Sequence, residues 1–355
     1  MDELRGRHPD LHRLPARLTK RAATYHRAVL VLSRSEVERL LDLDRLREAV
    51  AKAMADLSAG RASMPPRIAA IVPERDALLA AMPAYLPSSG ALTTKLVSLF
   101  PRNTDRPTHQ AVIVLFDAEY GTPLALIDGE AITAARTAAA SALATDLLAR
   151  ADAQVLAVIG TGVQARAHLR AVPRVRDFRE VRIAGRDPKK AMALLKDARE
   201  WLPHAELRAS ASYAEVEDGA DVICAATHSA EPVVRRDWLS AGTHITSVGY
   251  NTAGREVDGA TFRDALVVVE SRSATLAPPP AGSSDIAMAI AEGAMTREQV
   301  HAELGELVSG ARPGRQDPAQ ITLYKSVGVA VQDAAAAAMV LEAARTAGVG
   351  RTVEL

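Results

Sequence analysis

The stretch VLAVIGTGVQA, residues 155–165, decides how the second half of this 355-residue chain folds. Five apolar residues at its start predict a parallel strand that is buried on both faces. The run ends in a Gly-x-Gly-x-x-Ala pattern that leads into a helical repeat. Gly160 permits a tight turn, Gly162 lets a phosphate approach the backbone, and Ala165 lets the helix pack against its strand. The stretch therefore predicts a dinucleotide site; the alternative is a tight strand–helix turn that binds nothing.

The composition argues against several classes of partner. Lys plus Arg and Asp plus Glu both number 43, so the formal net charge is zero and attraction to nucleic acid is not expected. No apolar run approaches the roughly 18 residues that a membrane span needs, so no membrane partner is expected. Cys224 is the only cysteine, which excludes an internal disulfide and a cysteine-based metal site. We therefore expect a cytoplasmic protein that holds no metal ion.

Short apolar runs alternate with helical patterns from residue 155 onward. This rhythm is typical of a Rossmann-type α/β fold, in which helices cover both faces of a parallel sheet. The predicted strands occupy residues 155–159, 181–184, 222–226, 244–248 and 266–270.

The first half of the chain has a different pattern. It predicts strands over residues 30–32, 92–100 and 111–116, a helix over 37–54, an alanine-rich helix over 131–150 and, much later, a final helix over 326–347. Residues 1–27 are rich in Arg and His and lack the apolar segment of a secretory signal; they predict a flexible tail or a partner-binding arm. We therefore predict an N-terminal extension (1–27), an α+β domain (28–130 with 325–355) and a Rossmann domain with its leading helix (131–324).

Three cationic residues in this first half stand in unusual surroundings. Lys95 shares a predicted strand face with apolar residues, so it either reaches out to water or meets an anion. Arg136 is the only charge between Glu130 and Asp146 and is either solvated or aimed at a carboxylate or phosphate. Arg67 follows two prolines and, taken alone, is best explained as a surface charge. Together the three suggest a carboxylate site.

Two further residues have open interpretations. Asp333 is the lone charge between Ser326 and Leu341, which favours a buried, hydrogen-bonded structural carboxylate over a pocket residue. His228 follows the predicted strand 222–226, at the end of the sheet where ligands bind in such folds. It is a candidate proton donor, and an exposed loop histidine is an equal alternative.

The residues after the second Rossmann strand bear on the choice of cofactor. An acidic residue at this point usually binds the ribose 2′-hydroxyl of NAD, whereas an arginine favours the 2′-phosphate of NADP. The sequence here is Gly185-Arg186-Asp187, so Arg186 favours NADP(H) over NAD(H), and Asp187 leaves NAD(H) as the alternative.

Several long motifs, in order from about Val29 to the C-terminus, resemble the ornithine cyclodeaminase and mu-crystallin family. They are MPPR (64–67), KLVSLFPRN (95–103), ITAARTAA (132–139), GTGVQA (160–165), LGELVSG (304–310) and KSVG (325–328) running to Gln332-Asp333.

The resemblance implies a homodimer in which the N-terminal half and the C-terminal helix form a substrate and dimerisation domain. It further implies that Arg67, Lys95 and Arg136 hold the carboxylate of a small 2-amino or imino acid, with Val327 near the substrate. Candidate cofactor-binding residues are Thr108, Arg136, Thr137, Gly160, Gly162, Val163, Gln164, Ala165, Arg186, Thr227, Val248, Gly249, Tyr250, Asn251, Arg255 and Ser326.

One departure from the family pattern matters for the reaction. Ornithine cyclodeaminases carry an aspartate after the fifth strand, and Asn251 stands at that position here. An amide can orient an amine but cannot take its proton near neutral pH. Asn251 therefore makes ornithine cyclodeamination a less favoured hypothesis.

Three hypotheses follow. The first is an NAD(P)H-dependent imine reductase or amino-acid dehydrogenase with Lys95, Asn251 and His228 as catalytic candidates, the proton being handled by His228 or by water. The second is an ornithine cyclodeaminase that uses NAD catalytically. The third is a non-catalytic NADP-bound protein that binds a small ligand.

Overall fold

The computed structural model describes residues 28–251 and 253–354; the predicted extension 1–27 lies outside them. These residues form two β-sheets with helices packed against them. The strands are β1 (Ala28–Leu32), β2 (Ile68–Val72), β3 (Ala77–Leu86), β4 (Ala91–Leu99), β5 (His109–Phe116), β6 (Pro123–Asp128), β7 (Val155–Ile159), β8 (Glu180–Ala184), β9 (Glu206–Ser210), β10 (Val222–Ala225), β11 (His244–Ser247), β12 (Leu266–Val269), β13 (Val300–Glu303), β14 (Thr322–Lys325) and β15 (Arg351–Glu354).

The helices connect these strands and cover the sheets. They are α1 (Arg34–Leu40), α2 (Leu43–Ser58), α3 (Gly129–Leu148), α4 (Val163–Ala171), α5 (Pro188–Trp201), α6 (Tyr213–Glu217), α7 (Gly259–Asp264), α8 (Arg272–Thr275), α9 (Ser284–Ala291), α10 (Leu304–Val308) and α11 (Ala330–Ala347). Among the described residues, no helix is both long enough and apolar enough to cross a bilayer.

The first sheet has the strand order β15-β1-β6-β5-β4-β3-β2. Strands β2 to β6 pair with one another in antiparallel fashion, whereas β1 runs parallel to β6. Alternation along each strand places Met82, Lys95 and Ile113 side by side on the inner face, because β3 and β5 pair with β4 at these positions. Helices α3 and α11 pack on this face and α2 packs on both of them. A lysine therefore lies between apolar residues of the two neighbouring strands.

The second sheet confirms the predicted Rossmann-type fold. Its order is β13-β12-β14-β11-β10-β7-β8-β9, and every pairing is parallel. Successive residues of β7 enter opposite cores: Leu156 and Val158 pack with helices α3 to α5, and Ala157 and Ile159 pack on the other side. This explains why the strand is apolar at every position rather than at alternate ones.

Helix α3 contacts both sheets. Ala135 and Ala139 belong to the core of the first sheet, and Ala138 and Ala142 belong to a core of the second. Its alanines let neighbouring elements approach closely on all sides. The side chain of Asp128 begins the helix by accepting a hydrogen bond from the backbone of Ala131.

Two predicted helices differ from the structure. The predicted helix 37–54 is divided into α1 and α2 at Leu41 and Asp42, because the Asp42 carboxylate accepts the backbone N–H groups of Asp44 and Arg45 and starts a new helix. The final helix begins at Ala330 rather than at residue 326, since Gly328 has a φ of 76° that a helix cannot contain.

Candidate active site

Two of the predicted cations share one carboxylate. The Lys95 side chain is only 3% exposed, and its Nζ donates to Oδ2 of Asp333 over 2.7 Å. Arg136 on α3 donates from Nε to the other oxygen of Asp333 over 3.1 Å. Asp333 on α11 is therefore a buried structural carboxylate, as predicted, and it also fixes two residues of the candidate substrate site. A buried carboxylate with two cationic partners leaves a net positive charge at this point.

Burial and charge shift the pKa values of this group in opposite ways. Burial lowers the pKa of Lys95 to about 8, although the carboxylate of Asp333 opposes the shift. Burial alone would raise the pKa of Asp333, but Arg136 and Lys95 outweigh it and lower that pKa. Lys95 is consequently a cation at neutral pH and loses its charge under mildly alkaline conditions.

Arg67 completes the group, which we call the cation cluster (Arg67, Lys95, Arg136). Its Nη2 donates to the carbonyl oxygen of Gly328 over 2.7 Å and reaches that of Val327 at 3.4 Å. Burial lowers the Arg67 pKa, and the charge of Arg136 lowers it further. No ion pair involves Arg67 within the described part of the chain. Nη1 of Arg67 and Nη2 of Arg136 have no hydrogen-bond partner among the described residues, so both guanidinium groups have donors left for an added carboxylate.

The carbonyl groups that Arg67 binds lie in the segment Ser326-Val327-Gly328, here called the SVG turn, which follows β14. Glu270, at the end of the neighbouring strand β12, is fully buried and accepts the backbone N–H groups of Val327 and Gly328 over 2.8 and 2.7 Å. Sequence analysis did not single out Glu270. The available signal was a charge directly after three buried valines, at the carboxyl end of a strand.

The glycine motif lies at the same edge of the second sheet as the SVG turn. Gly160 has a φ of 121°, and a Cβ there would lie 2.4 Å from the carbonyl oxygen of Ala226, so only glycine fits. A Cβ on Gly162 would meet nothing within 4 Å, so the space beside α4 is open. The chain continues from β7 to β8 on one side and returns to β10 on the other, which makes this the switch point where such sheets bind nucleotides. The turn therefore fits a dinucleotide phosphate at the start of α4.

Arg186 and Asp187, which compete for the cofactor ribose in the sequence analysis, have different environments. The Asp187 carboxylate caps α5 by accepting the backbone N–H of Lys189 over 2.9 Å and that of Lys190 over 3.4 Å. Arg186 is exposed, and no hydrogen bond or ion pair of its side chain occurs among the described residues. The Asp187 carboxylate is thus engaged at the start of its own helix, whereas the exposed Arg186 guanidinium can contact a ligand.

The loop after β11 contains the other catalytic candidates. Asn251 donates from Nδ2 to the carbonyl of His228 over 3.1 Å and accepts the N–H of Ala253 at Oδ1 over 2.9 Å. His228 is exposed and donates from Nδ1 to the carbonyl of Tyr250, which leaves Nε2 available. The structure therefore brings His228 and Asn251 together, and it uses the Asn251 amide largely to shape the loop.

The predicted cofactor residues of this region are anchored by buried groups. Glu256 accepts both the backbone N–H and the hydroxyl of Thr227, and accepts the N–H of Gly249 over 2.7 Å. Val248 extends the pairing of β11 with β10, and Ser326 donates its hydroxyl to Glu270 over 3.0 Å. Three predicted cofactor residues have side chains that are engaged elsewhere or exposed. Arg255 pairs with Glu292, Thr137 forms a hydrogen bond within its own helix, and Thr108 is exposed.

His109 is a further group that sequence analysis missed. It pairs with Leu99 in the register of β4 and β5, which places it on the same face as Lys95. Burial, then Lys95 and Arg136, lower its pKa to about 4. His109 is therefore neutral at pH 7 and adds no charge to the cation cluster.

Comparison with known proteins identifies the family to which this chain belongs. A family model described as "Ornithine cyclodeaminase/mu-crystallin family" matches residues 27–348. The chain belongs to this family. Ketimine reductase mu-crystallin of Mus musculus is 37% identical over 80% of this chain and 86% of its own length.

Solved structures agree with this assignment. Delta(1)-pyrroline-2-carboxylate reductase of Thermococcus litoralis, in complex with NADH and L-proline, is 39% identical, with a TM-score of 0.87 over 92% of this chain and 100% of its own. An archaeal alanine dehydrogenase, described as a dimer with bound NAD, is 33% identical, with a TM-score of 0.85 over 92% of this chain and 99% of its own. The match covers both sheets, so the likeness extends well beyond the glycine motif.

Proposed function

We propose that this protein is an NADP(H)-dependent oxidoreductase that transfers hydride between the nicotinamide and Cα of a small 2-amino or cyclic imino acid. Family membership supports the general class, an NAD(P)-dependent oxidoreductase or cyclodeaminase. The observation that carries the proposal is the cation cluster, because its three cations form ion pairs with only one carboxylate of the described residues, Asp333, at the edge where the glycine turn also lies. Glu270 is a second buried carboxylate, close enough to act on Arg67, so the group keeps one positive charge that a bound carboxylate would balance.

The cation cluster would hold and orient the substrate. Arg67 lies in the loop before β2, Lys95 in β4 and Arg136 in α3, so a carboxylate between them would be fixed in position and in rotation. Val327, in the SVG turn, would lie against the substrate carbon skeleton. The nicotinamide, when bound, supplies or accepts the hydride. The chain's own contribution is to present Cα at one place, since a displacement of about 1 Å is costly for such a transfer.

The proposed cofactor residues lie along the carboxyl edge of the second sheet. The start of α4 would bind the pyrophosphate, and Arg186 would bind the 2′-phosphate, which is why we favour NADP(H) over NAD(H). The remaining assignments are Thr108, Arg136, Thr137, Gly160, Gly162, Val163, Gln164, Ala165, Thr227, Val248, Gly249, Tyr250, Asn251, Arg255 and Ser326.

Proton transfer would involve the loop after β11. Nε2 of His228 is the available side-chain group for a proton to or from the substrate nitrogen, directly or through water. Asn251 would support this step by fixing the backbone of His228. An amide in this position favours reduction of an imine over ornithine cyclodeamination, which needs a base for the distal amine.

A substrate screen tests the proposed function. Purified protein is mixed with NADPH or NADH and, in turn, pyrroline-2-carboxylate, piperideine-2-carboxylate, and pyruvate with ammonia or methylamine; loss of the reduced cofactor's absorbance is followed. We expect oxidation of NADPH with at least one cyclic imine. Ornithine with NAD serves as the comparison, because proline and ammonia formed without net cofactor turnover would establish the cyclodeaminase instead. Cofactor binding without any turnover would establish the non-catalytic protein.

We further propose that the protein is a homodimer joined through the outer face of the first sheet. Leu79, Val112 and Tyr85 are exposed on this face, opposite to the face that α3 and α11 cover. Exposed apolar side chains that cluster on one sheet face, here on β3 and β5, are typical of an interface. The description of the archaeal alanine dehydrogenase as a dimer supports this assembly.

A further inference from the structure

The Glu270 carboxylate accepts hydrogen bonds of normal geometry from four groups of the described residues. Besides the two backbone N–H groups of the SVG turn, its carboxylate accepts the Ser326 hydroxyl over 3.0 Å and Nε2 of Gln332 over 2.8 Å. Each of these partners points a hydrogen at the carboxylate. Because Glu270 is fully buried, no water compensates for a lost bond.

Gln332 connects Glu270 to the cation cluster. Its Oε1 accepts a hydrogen bond from Nη1 of Arg136 over 2.8 Å, while its NH₂ group faces Glu270. A guanidinium only donates and a carboxylate only accepts, so this orientation of the amide is the one that satisfies both neighbours. Glu270 therefore determines that Arg136 meets an oxygen rather than an NH₂ group.

The SVG turn provides a second connection. Glu270 holds its N–H groups on one side, and Arg67 binds its carbonyl groups on the other. Gly328 also makes room for Arg136, since a Cβ there would lie 2.8 Å from Nη2 of that guanidinium. Two members of the cation cluster thus depend on the same turn, and the turn depends on Glu270.

We propose that Glu270 is a positioning residue that sets the carboxylate-binding geometry of Arg136 through Gln332 and of Arg67 through the SVG turn. This rests on the proposed function, in which the cation cluster binds the substrate carboxylate. Glu270 itself touches neither substrate nor cofactor in this role. The hydrogen-bond polarity of the Glu270–Gln332 pair is the feature that matters, rather than the negative charge alone.

A polarity swap tests the proposal. In Glu270→Gln, the new NH₂ group faces donors, so either the SVG turn or Gln332 must rearrange. In the double variant Glu270→Gln/Gln332→Glu, the amide introduced at position 270 accepts from the turn and donates to the carboxylate introduced at position 332, which also accepts from Arg136. Glu303→Gln is the matched control, because Glu303 ends the adjacent strand β13 and accepts the Arg272 N–H and the Ser58 hydroxyl away from the cation cluster.

Two quantities are measured on the full chain: the affinity for L-proline with NADP⁺ by calorimetry, and KM and kcat for the best cyclic imine. We expect Glu270→Gln to weaken L-proline binding and to raise KM by roughly tenfold or more, with a smaller change in NADP⁺ affinity. The double variant should bind L-proline more tightly than Gln332→Glu alone and should recover part of the loss seen in Glu270→Gln, whereas Glu303→Gln should leave both values unchanged.

The outcomes separate the two proposals. If the original protein binds NADP⁺ but no small carboxylate and reduces no imine, the proposed function fails. If the original protein binds L-proline and the double variant binds it no better than Gln332→Glu alone, which carries the same added carboxylate beside Arg136, the role of Glu270 is overturned, even where Glu270→Gln alone is too unstable to purify. Equal losses in substrate and cofactor affinity that accompany a lowered Tm would also overturn it, because they indicate a general structural role.

Discussion

At the scale of single residues, Asp333 and Gln332 of α11 orient Lys95 and Arg136. Lys95 and Arg136 stand out because each is a lone charge among small or apolar residues. The partners of Arg136, namely Asp333 and Gln332, lie far away in the chain, so only the tertiary fold brings them together. Glu270 was missed for the same reason. The local surroundings of a residue can signal that it is unusual, but they cannot identify its contacts.

The protonation of Lys95 predicts how substrate binding varies with pH. Lys95 has a pKa lowered to about 8 by burial, so the binding cation is present below that pH and is lost above it. We expect KM for a carboxylate substrate, corrected for the substrate's own ionisation, to rise as pH increases from about 7 to about 9.5. Asp333→Asn should move this rise to lower pH, since the carboxylate that favours the charged lysine is removed. A profile that stays flat, and stays the same in Lys95→Met, would contradict this explanation.

The exposed position of Arg186 predicts that the protein binds NADPH more tightly than NADH. Arg186→Ala should weaken NADPH binding by about 1.5–3 kcal/mol, the range of a lost charge-assisted hydrogen bond, and change NADH binding little. Fluorescence titration with both cofactors measures the two affinities. Arg199→Ala is the matched control, because Arg199 is exposed in the last turn of the same helix α5 that Asp187 begins. Equal weakening of NADPH and NADH would mean that Arg186 does not read the 2′-phosphate.

At the scale of elements, the sequence predicts strands well where they are continuous and apolar. Strands β7, β10 and β12 are buried on both faces and lie within a residue of the predicted bounds. Strand β3 was missed because it is rich in alanine and contains a proline, and both residues have low strand propensity. Strand β14 was also missed, since it has few residues and contains Lys325, whose buried charge is satisfied by Asp285. Its surroundings, which the sequence does not show, make it a strand.

Helix α6 carries a residue that predicts the pH dependence of stability. Glu217 is fully buried, and its two carboxylate oxygens form no hydrogen bond of normal geometry with the described residues. Burial raises its pKa to about 9, so the folded protein keeps a proton that the unfolded chain releases from about pH 4.5 upward. Folding stability should therefore fall as pH rises through this window.

Glu217→Gln should remove that loss of stability. The amide has the same shape and no charge to bury, so the variant should be more stable by about 2 kcal/mol at about pH 8 and similar to the original at about pH 4.5. Urea unfolding at several pH values across this window measures the difference. Glu215→Gln, in the same helix at an exposed position, is the control. A constant difference between the two proteins at all pH values would show that Glu217 does not titrate in this range.

At the scale of the assembly, the described residues cover one face of the first sheet and leave the other uncovered. We expect Val112→Asp, which places a charge in the centre of the uncovered face, to convert a dimer into monomers because a buried unpaired charge is costly. Sedimentation velocity measures the mass in solution. Met192→Asp is the control, since Met192 is similarly exposed but lies on α5 of the other half. Dimers that persist in Val112→Asp would place the interface elsewhere.

Helix α3 has a mechanical consequence for catalysis. Arg136 joins the cation cluster, and further along the same helix Ser141 bonds His168 of α4, the helix that begins at the glycine turn, over 2.8 Å. Helix α3 therefore contacts both the first sheet's cation cluster and the second sheet's helix α4. The geometry of this helix, rather than a flexible hinge, sets how the two parts are oriented relative to each other. Inserting a single residue between these two positions would rotate one attachment by about 100° relative to the other. The number of residues between these two contacts, more than their identity, sets how the cation cluster is oriented relative to the glycine turn.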